Sequence, residues 1–309
     1  MTRRFALLFA LLFVVNCTTS PIATPSASAT PKARVTAAPF PTSITDFQGR
    51  SVAISKRPER IVSIGPSNTE FLFALGAGDR VVGDDDFSDQ PAAAATKDHV
   101  GGVKVNLEKV VSLKPDLIVT VKFSDGTIEA LSQTTAAVLV VDPQGAADVA
   151  RSATLIGQAI GADGAKLASD IQKQLDAVKA KTDTAPKFRV FHEVDASDPA
   201  KIYTVGPGSF IDDLINLAGG TNVFATTKSA YPTVSGEEIV RADPEVIVLG
   251  DALYGTTIDS VASRPGWAAL TAVKNKRVYA GISLFSRPGP RLGEAAQEYA
   301  KLVHPELFK

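Results

Sequence analysis

The chain has 309 residues, 45% hydrophobic and 21% charged, with a formal net charge of −1. That length suits two domains of ordinary size, and the near-neutral balance excludes a nucleic-acid binder built on a basic surface. One cysteine, Cys17, excludes an internal disulfide framework.

Arg3 and Arg4 precede an apolar run, Phe5–Val15, that is too short to span a bilayer comfortably, and Cys17 follows almost at once. The order resembles a bacterial lipoprotein signal: 1–16 a signal peptide, Cys17 lipidated as the new N-terminus. Asn16 departs from the small residue usual before that cysteine. Residues 17–43 are rich in Ser, Thr, Ala and Pro and read as a flexible tether. The expected protein is exported and held on the extracytoplasmic side of a membrane by lipid on Cys17.

Ile44–Ser55 alternates about Gln48-Gly49 and reads as a hairpin. Arg60–Gly65 is a short buried strand, and Ser67-Asn68-Thr69-Glu70 fits a capping box opening a helix that stops at Gly76. Val81–Gly83, Asp116–Val121 and Val138–Val141 supply further strands, separated by helices near Leu107–Leu113 and Thr127–Gln133. Ala146–Ile160 is helical, and Gly161 with Gly164 interrupts it. In Ala165–Lys181, Leu167, Ile171, Leu175 and Val178 form one apolar stripe on a helix about 25 Å long. Phe188–Val194 and Ile202–Val205 are strands, and Ser209–Ala218 is a helix. Ser235–Glu238 is a second capping-box match, Glu245–Leu249 and Arg277–Ala280 are strands, and Pro290–Leu302 is a terminal helix. Alternating strand and helix implies mainly parallel sheets covered on both faces.

Two phrases recur. Glu108–Val119 (EKVVSLKPDLIV) matches Glu237–Val248 (EEIVRADPEVIV), and Phe71–Gly83 matches Leu214–Ala225 in the same relative order. The fold class expected is α/β: two Rossmann-like lobes joined by a single long α-helix, with a ligand cleft between them. The lobes span 44–160 and 184–309, and residues 161–183 form the connector. One stiff connector predicts rocking, not wide closure.

Catalytic signals are poor. His99, His192 and His304 lie apart with no metal-ligand spacing, and no nucleophile–base set stands out, so no enzyme is expected. Gly206-Pro207-Gly208-Ser209 at a helix start is either an anion cradle or a plain turn and N-cap. Phe87, Phe123, Tyr203, Tyr231 and Phe285 fall in loops or at strand ends, where flat rings suit a large planar ligand. Glu70 is explained as a capping residue, whereas Glu237 is left without a local duty by Glu238.

Arg60–Gly76 (RIVSIGPSNTEFLFALG), Gly101-Gly102, Asn106–Thr120 (NLEKVVSLKPDLIVT), Gly206–Val223 (GPGSFIDDLINLAGGTNV) and Arg287–Arg291 (RPGPR) resemble ABC-transporter substrate-binding proteins of the helical-backbone class. The resemblance covers the chain from about Ile44 onward. It implies a monomeric binder that captures a large metal chelate between its lobes and delivers it to an importer permease. The PSNTE phrase, the GG before NLE and Tyr231-Pro232 look most like the cobalamin binders, although Phe87 stands where that group often has Tyr. A ferric siderophore or haem is the alternative cargo, haem wanting an axial ligand from Tyr203, Tyr231 or His192. A chelatase-like enzyme on the same scaffold is a third reading. By resemblance, Phe87, Phe123, Tyr203, Tyr231 and Phe285 pack on the chelate. Arg287, with Arg291 second, meets its polar groups, and Glu70 and Glu237 dock onto permease arginines. The metal arrives already coordinated, so neither a protein metal site nor a resident cofactor is expected.

Overall fold

The computed structural model of the chain describes residues 39–309. The expected signal peptide, Cys17 and most of the expected tether lie outside them.

β1 (Thr42–Thr45) and β2 (Ser51–Ile54) pair antiparallel, Thr45 opposite Ser51, so the hairpin starts slightly before the expected Ile44. Asp46 fixes its turn by accepting from the Gln48 and Arg50 amides, each at 2.9 Å. Then follow β3 (Ile61–Ile64), α1 (Pro66–Ala74), β4 (Val81–Asp84), β5 (Asp98–His99), α2 (Leu107–Ser112), β6 (Leu117–Thr120), α3 (Thr127–Leu131) and β7 (Ala137–Val140). The strands lie parallel in the order β5-β4-β3-β6-β7. Every residue of β3 and β6 is buried, the mark of central strands covered on both faces.

α4 (Ala146–Ile160) ends at Gly161, whose φ of 71° stops the helix, and α5 (Gly164–Thr182) starts under an Asp163 cap. Ile171, Leu175 and Val178 of the expected stripe are buried. The second lobe holds β8 (Phe188–Asp195), β9 (Ile202–Thr204), α6 (Phe210–Leu217), β10 (Gly220–Asn222), β11 (Thr233–Val234), α7 (Gly236–Ala242), β12 (Val246–Leu249), α8 (Ile258–Ala262), α9 (Thr271–Lys274), β13 (Val278–Ala280) and α10 (Leu292–Val303). Its sheet is mixed: β10, β8, β12 and β13 are parallel, while β9 and β11 add an antiparallel edge.

The recurring phrases fold into equivalent parts. β6 and β12 occupy the same places in them and pair in parallel with β3 and β8 respectively. Before the proline of each phrase, Pro115 or Pro244, stands a residue in the left-handed region, Lys114 (φ 49°) or Asp243 (φ 43°). The Asp116 amide donates to the Arg60 carbonyl at 2.9 Å, and the Glu245 amide to the Arg189 carbonyl at 2.8 Å. Each arginine then reaches back: Arg60 donates to the Leu113 carbonyl, and Arg189 to that of Asp243. In the second pair of phrases, Gly76 (φ 74°) and Gly219 (φ 78°) end α1 and α6 alike.

One hydrophobic core runs through both lobes. It links Ile61, Phe71 and Leu117 of the first to Val190, Leu214 and Val246 of the second, by way of Ile156, Ile171, Leu175, Leu292 and Tyr299 on α4, α5 and α10. The connector therefore lays one face, Ile171, Leu175 and Val178, into a continuous apolar seam, which favours a fixed lobe arrangement. A separate cluster in the second lobe surrounds Trp267, which meets Phe191 edge-on and carries the Arg264 guanidinium over its ring at 4.6 Å.

Candidate functional site

Open α/β sheets place their ligands at the carboxyl ends of the parallel strands, and the aromatic residues singled out by the sequence are expected in those loops. Phe87 follows β4 and is half exposed. A β-carbon at Gly102 would meet its ring at 3.1 Å, so the Gly101-Gly102 turn is shaped to seat that ring. Phe123 follows β6 and packs partly into the first lobe's outer cluster. Tyr203 lies on β9 opposite Thr233, and Tyr231 precedes β11; both are exposed. Although much of the Tyr231 side chain is exposed, partial burial of its hydroxyl end, and then the charge of Asp142 from the first lobe, push that hydroxyl up. The Asp142 carboxyl is pushed up by its own burial.

Four sequence expectations need correction. Phe285 is 3% exposed: the turn at Ser283–Ser286 directs its ring inward onto Tyr299, centroids 4.9 Å apart, so it is a core side chain. His192 is equally buried and stacks on Tyr299, whose hydroxyl lies 3.1 Å from Nδ1, which removes it as an axial ligand.

The third concerns Glu70. α1 starts at Pro66, whose fixed φ suits the first helical position, with Gly65 as N-cap and no side-chain cap bond. Ser67 and Glu70 thus form no capping box, and Glu70 faces the other lobe at 5% exposure. Arg291 Nε and Nη2 donate to its two oxygens at 2.9 and 3.1 Å. Arg287 Nη1 donates to Asp89 at 2.5 Å and approaches Glu70 at 3.4 Å. The fourth concerns the arginines: Arg287 and Arg291, expected against the polar groups of the chelate, pair instead with first-lobe carboxylates, so the RPGPR segment is an interlobe clasp. By contrast, Ser235 and Glu238 do form the expected capping box, and Glu237 is exposed. A further bridge forms where Asp213 of α6 accepts from the Ala146 amide at the start of α4, at 2.7 Å.

Sequence reasoning missed Tyr254, 89% exposed on the turn after β12. The rule that selected Phe87, applied to the end of the Glu245–Leu249 strand, would have found it. Among the described residues no group of three His, Cys, Asp or Glu side chains is placed to hold a metal ion, and no helix is long and apolar enough to cross a membrane.

His192 also carries a pH prediction. Burial lowers its pKa from 6.5 to about 3, so it is neutral in the fold and gains a proton on unfolding. Its contribution is present above pH 6.5 and lost as pH falls towards 3, with a slope of at most about 1.4 kcal/mol per pH unit. Asp84, raised by burial to about 6 beside His99, works the other way, losing stability as pH rises from about 4 to about 6. His192→Gln should remove the acid-side loss and leave the Asp84 dependence. Urea denaturation from pH 4 to 7 checks this, and an unchanged slope refutes it.

Two sheet-centred lobes joined through the one-sided helix α5, with exposed aromatic residues at strand ends, define a two-lobe α/β fold. The chain belongs to the periplasmic binding protein family, whose profile matches residues 61–283. An uncharacterized ABC transporter substrate-binding lipoprotein of Bacillus subtilis is 35% identical over 315 residues, spanning 98% of this chain and 97% of that relative. The vitamin B12-binding protein of Vibrio parahaemolyticus is 29% identical, over 78% of this chain and 88% of its own length. The crystal structure of the periplasmic vitamin B12 binding protein of Vibrio cholerae matches with a TM-score of 0.69 at 27% identity, covering 82% of this chain and 98% of that one.

Proposed function

We propose that this ABC transporter substrate-binding protein captures a corrinoid, a large pre-assembled metal chelate, and hands it unchanged to an importer. The observation that carries the reading is the long match to vitamin B12-binding proteins, at 29% and 27% identity. The half-exposed rings of Phe87, Tyr203 and Tyr231 are consistent with it. Stacking and burial supply most of the affinity, with few polar contacts setting orientation. Calorimetry with cyanocobalamin, haemin and several ferric siderophores tests the reading. Tight binding of cyanocobalamin alone is expected, whereas a preference for haemin or a siderophore overturns the cargo and turnover of the ligand overturns the binder. Lipid on Cys17 would keep the protein at the membrane, and mass spectrometry of the membrane fraction would show the modification.

Docking is assigned to Glu108 and Glu237. The internal repeat places them at equivalent positions, each the second residue of its helix, and both are exposed. Of the two carboxylates that the family resemblance pointed to, Glu70 and Glu237, Glu70 is engaged within the protein by Arg291. Reversing Glu108 and Glu237 together to Arg is expected to abolish uptake and change ligand affinity by less than about twofold, since rim charges act chiefly on encounter. Normal uptake by the double variant, or a large loss of ligand affinity, sinks this assignment.

A further inference from the structure

Glu70 stands directly before Phe71, and Asp213 directly before Leu214, where the second pair of recurring phrases begins. Both carboxylates therefore lie at the same place in equivalent helices, α1 and α6, and both reach into the other lobe. Glu70 crosses to Arg291 at the start of α10, the helix that follows the last strand of the second lobe. Asp213 crosses to the Ala146 amide, at 2.7 Å, at the start of α4, the helix that follows the last strand of the first. Glycine backbone lies close in each case. A β-carbon at Gly289 would stand 3.7 Å from Glu70 Oε2, and one at Gly145 3.0 Å from Asp213 Oδ2. The two receiving helices, α4 and α10, both pack on the connector α5.

We propose that Glu70 and Asp213 are paired positioning residues, which tie the lobes at two points and so set the separation at which a ligand is gripped. A single tie leaves the lobes free to pivot about it. Two ties, on different helices, oppose the rocking that a one-sided seam along α5 permits. Each clasp also stands beside an aromatic residue assigned to the chelate. Arg287, which shares the Glu70 clasp, approaches the Phe87 carbonyl through Nη2 at 3.5 Å. Asp142, whose charge reaches the Tyr231 hydroxyl, precedes α4 by a short turn in which the Gln144 amide donates to Asp148 at 3.0 Å. Holding both clasps therefore fixes where Phe87 of the first lobe stands relative to Tyr231 of the second. The apolar seam alone cannot do this, because hydrophobic contact is non-directional, whereas a charge-assisted hydrogen bond selects one distance and direction. The inference rests on the proposed capture of a chelate only for the last readout below.

The test is the distance between nitroxide labels on exposed positions of the two lobes, Lys104→Cys and Lys228→Cys, in the full-length Cys17→Ser chain, measured by double electron–electron resonance. This parent is expected to give one narrow distance. Asp213→Ala should add a longer distance in more than about 10% of molecules. Asp213→Asn keeps an oxygen acceptor for the Ala146 amide and should restore the single distance, which a general loss of packing would not do. Adding Glu70→Gln to Asp213→Ala should enlarge the longer population beyond the sum of the single variants, as coupled contacts do. Cyanocobalamin should leave Asp213→Ala at least about fivefold faster than it leaves the parent. If the parent does not bind cyanocobalamin, the cargo reading fails and the distances still decide the clasps. Asp213 is only half-buried, so its variants keep the test available should Glu70→Gln misfold. The parent distance in Asp213→Ala, equal broadening by Asp213→Asn, a strictly additive double variant or unchanged cyanocobalamin release would overturn the proposal.

Discussion

Replacing Arg291 with alanine is expected to lower folding stability by about 2–4 kcal/mol, read from urea denaturation. Glu70 is almost fully buried, and Arg291 supplies both of its short hydrogen bonds. Removing that partner leaves a buried carboxylate with only Arg287, at 3.4 Å and shared with Asp89. Arg291 is itself about one-third exposed, which places the loss below the upper end for a buried pair. The double variant Glu70→Gln/Arg291→Ala should recover part of the loss, because a neutral amide costs less to leave unpaired. Glu70→Arg should be worse than either single change, since it sets a third cation beside Arg287 and Arg291. A loss under about 1 kcal/mol in Arg291→Ala would mean the clasp contributes little, as exposed pairs do. Because Arg291 and Glu70 come from different lobes, the same variant also probes how the lobes are held.

Gly164→Ala is expected to destabilise by about 3 kcal/mol or more, despite the better helix propensity of alanine. Gly164 opens the connector helix α5 where it leaves α4. A β-carbon there would lie 2.1 Å from the Ala153 carbonyl oxygen and 2.9 Å from Thr154 Cα. These are backbone atoms inside α4, so no side chain can swing away to make room. The two helices must separate, opening the seam that Ile156 and Ile171 help to fill. Thermal or chemical denaturation measures the loss. Wild-type stability in this variant would show that α4 and α5 are not rigidly apposed.

Much of the architecture was legible because it rests on short-range rules. The α4 and α5 boundaries follow from Gly161 and Gly164 punctuating apolar periodicity, and the α7 start follows from a capping box that is realised. The recurrence of EKVVSLKPDLIV as EEIVRADPEVIV located two equivalent strands, β6 and β12, and their hydrogen-bonded neighbours. What the sequence hid depends on distant chain segments. Ser67–Glu70 satisfies the local capping pattern, yet Pro66 and Gly65 start the helix earlier and the RPGPR segment claims Glu70. Phe285 sits in a loop by sequence, but Tyr299, a full helix away, draws it into the core. The cleft aromatics lie between: their loops are readable from strand ends, while their exposure required the folded chain.

The placement of the chain's one tryptophan has a practical outcome. Trp267 sits in the second lobe's private cluster, under Arg264, and away from the seam that both lobes share. Its emission therefore reports on one half of the molecule, whereas far-ultraviolet dichroism averages over helices of both. If the shared seam couples the halves, denaturation curves from the two signals will superimpose; if it does not, the fluorescence transition will separate from the dichroic one.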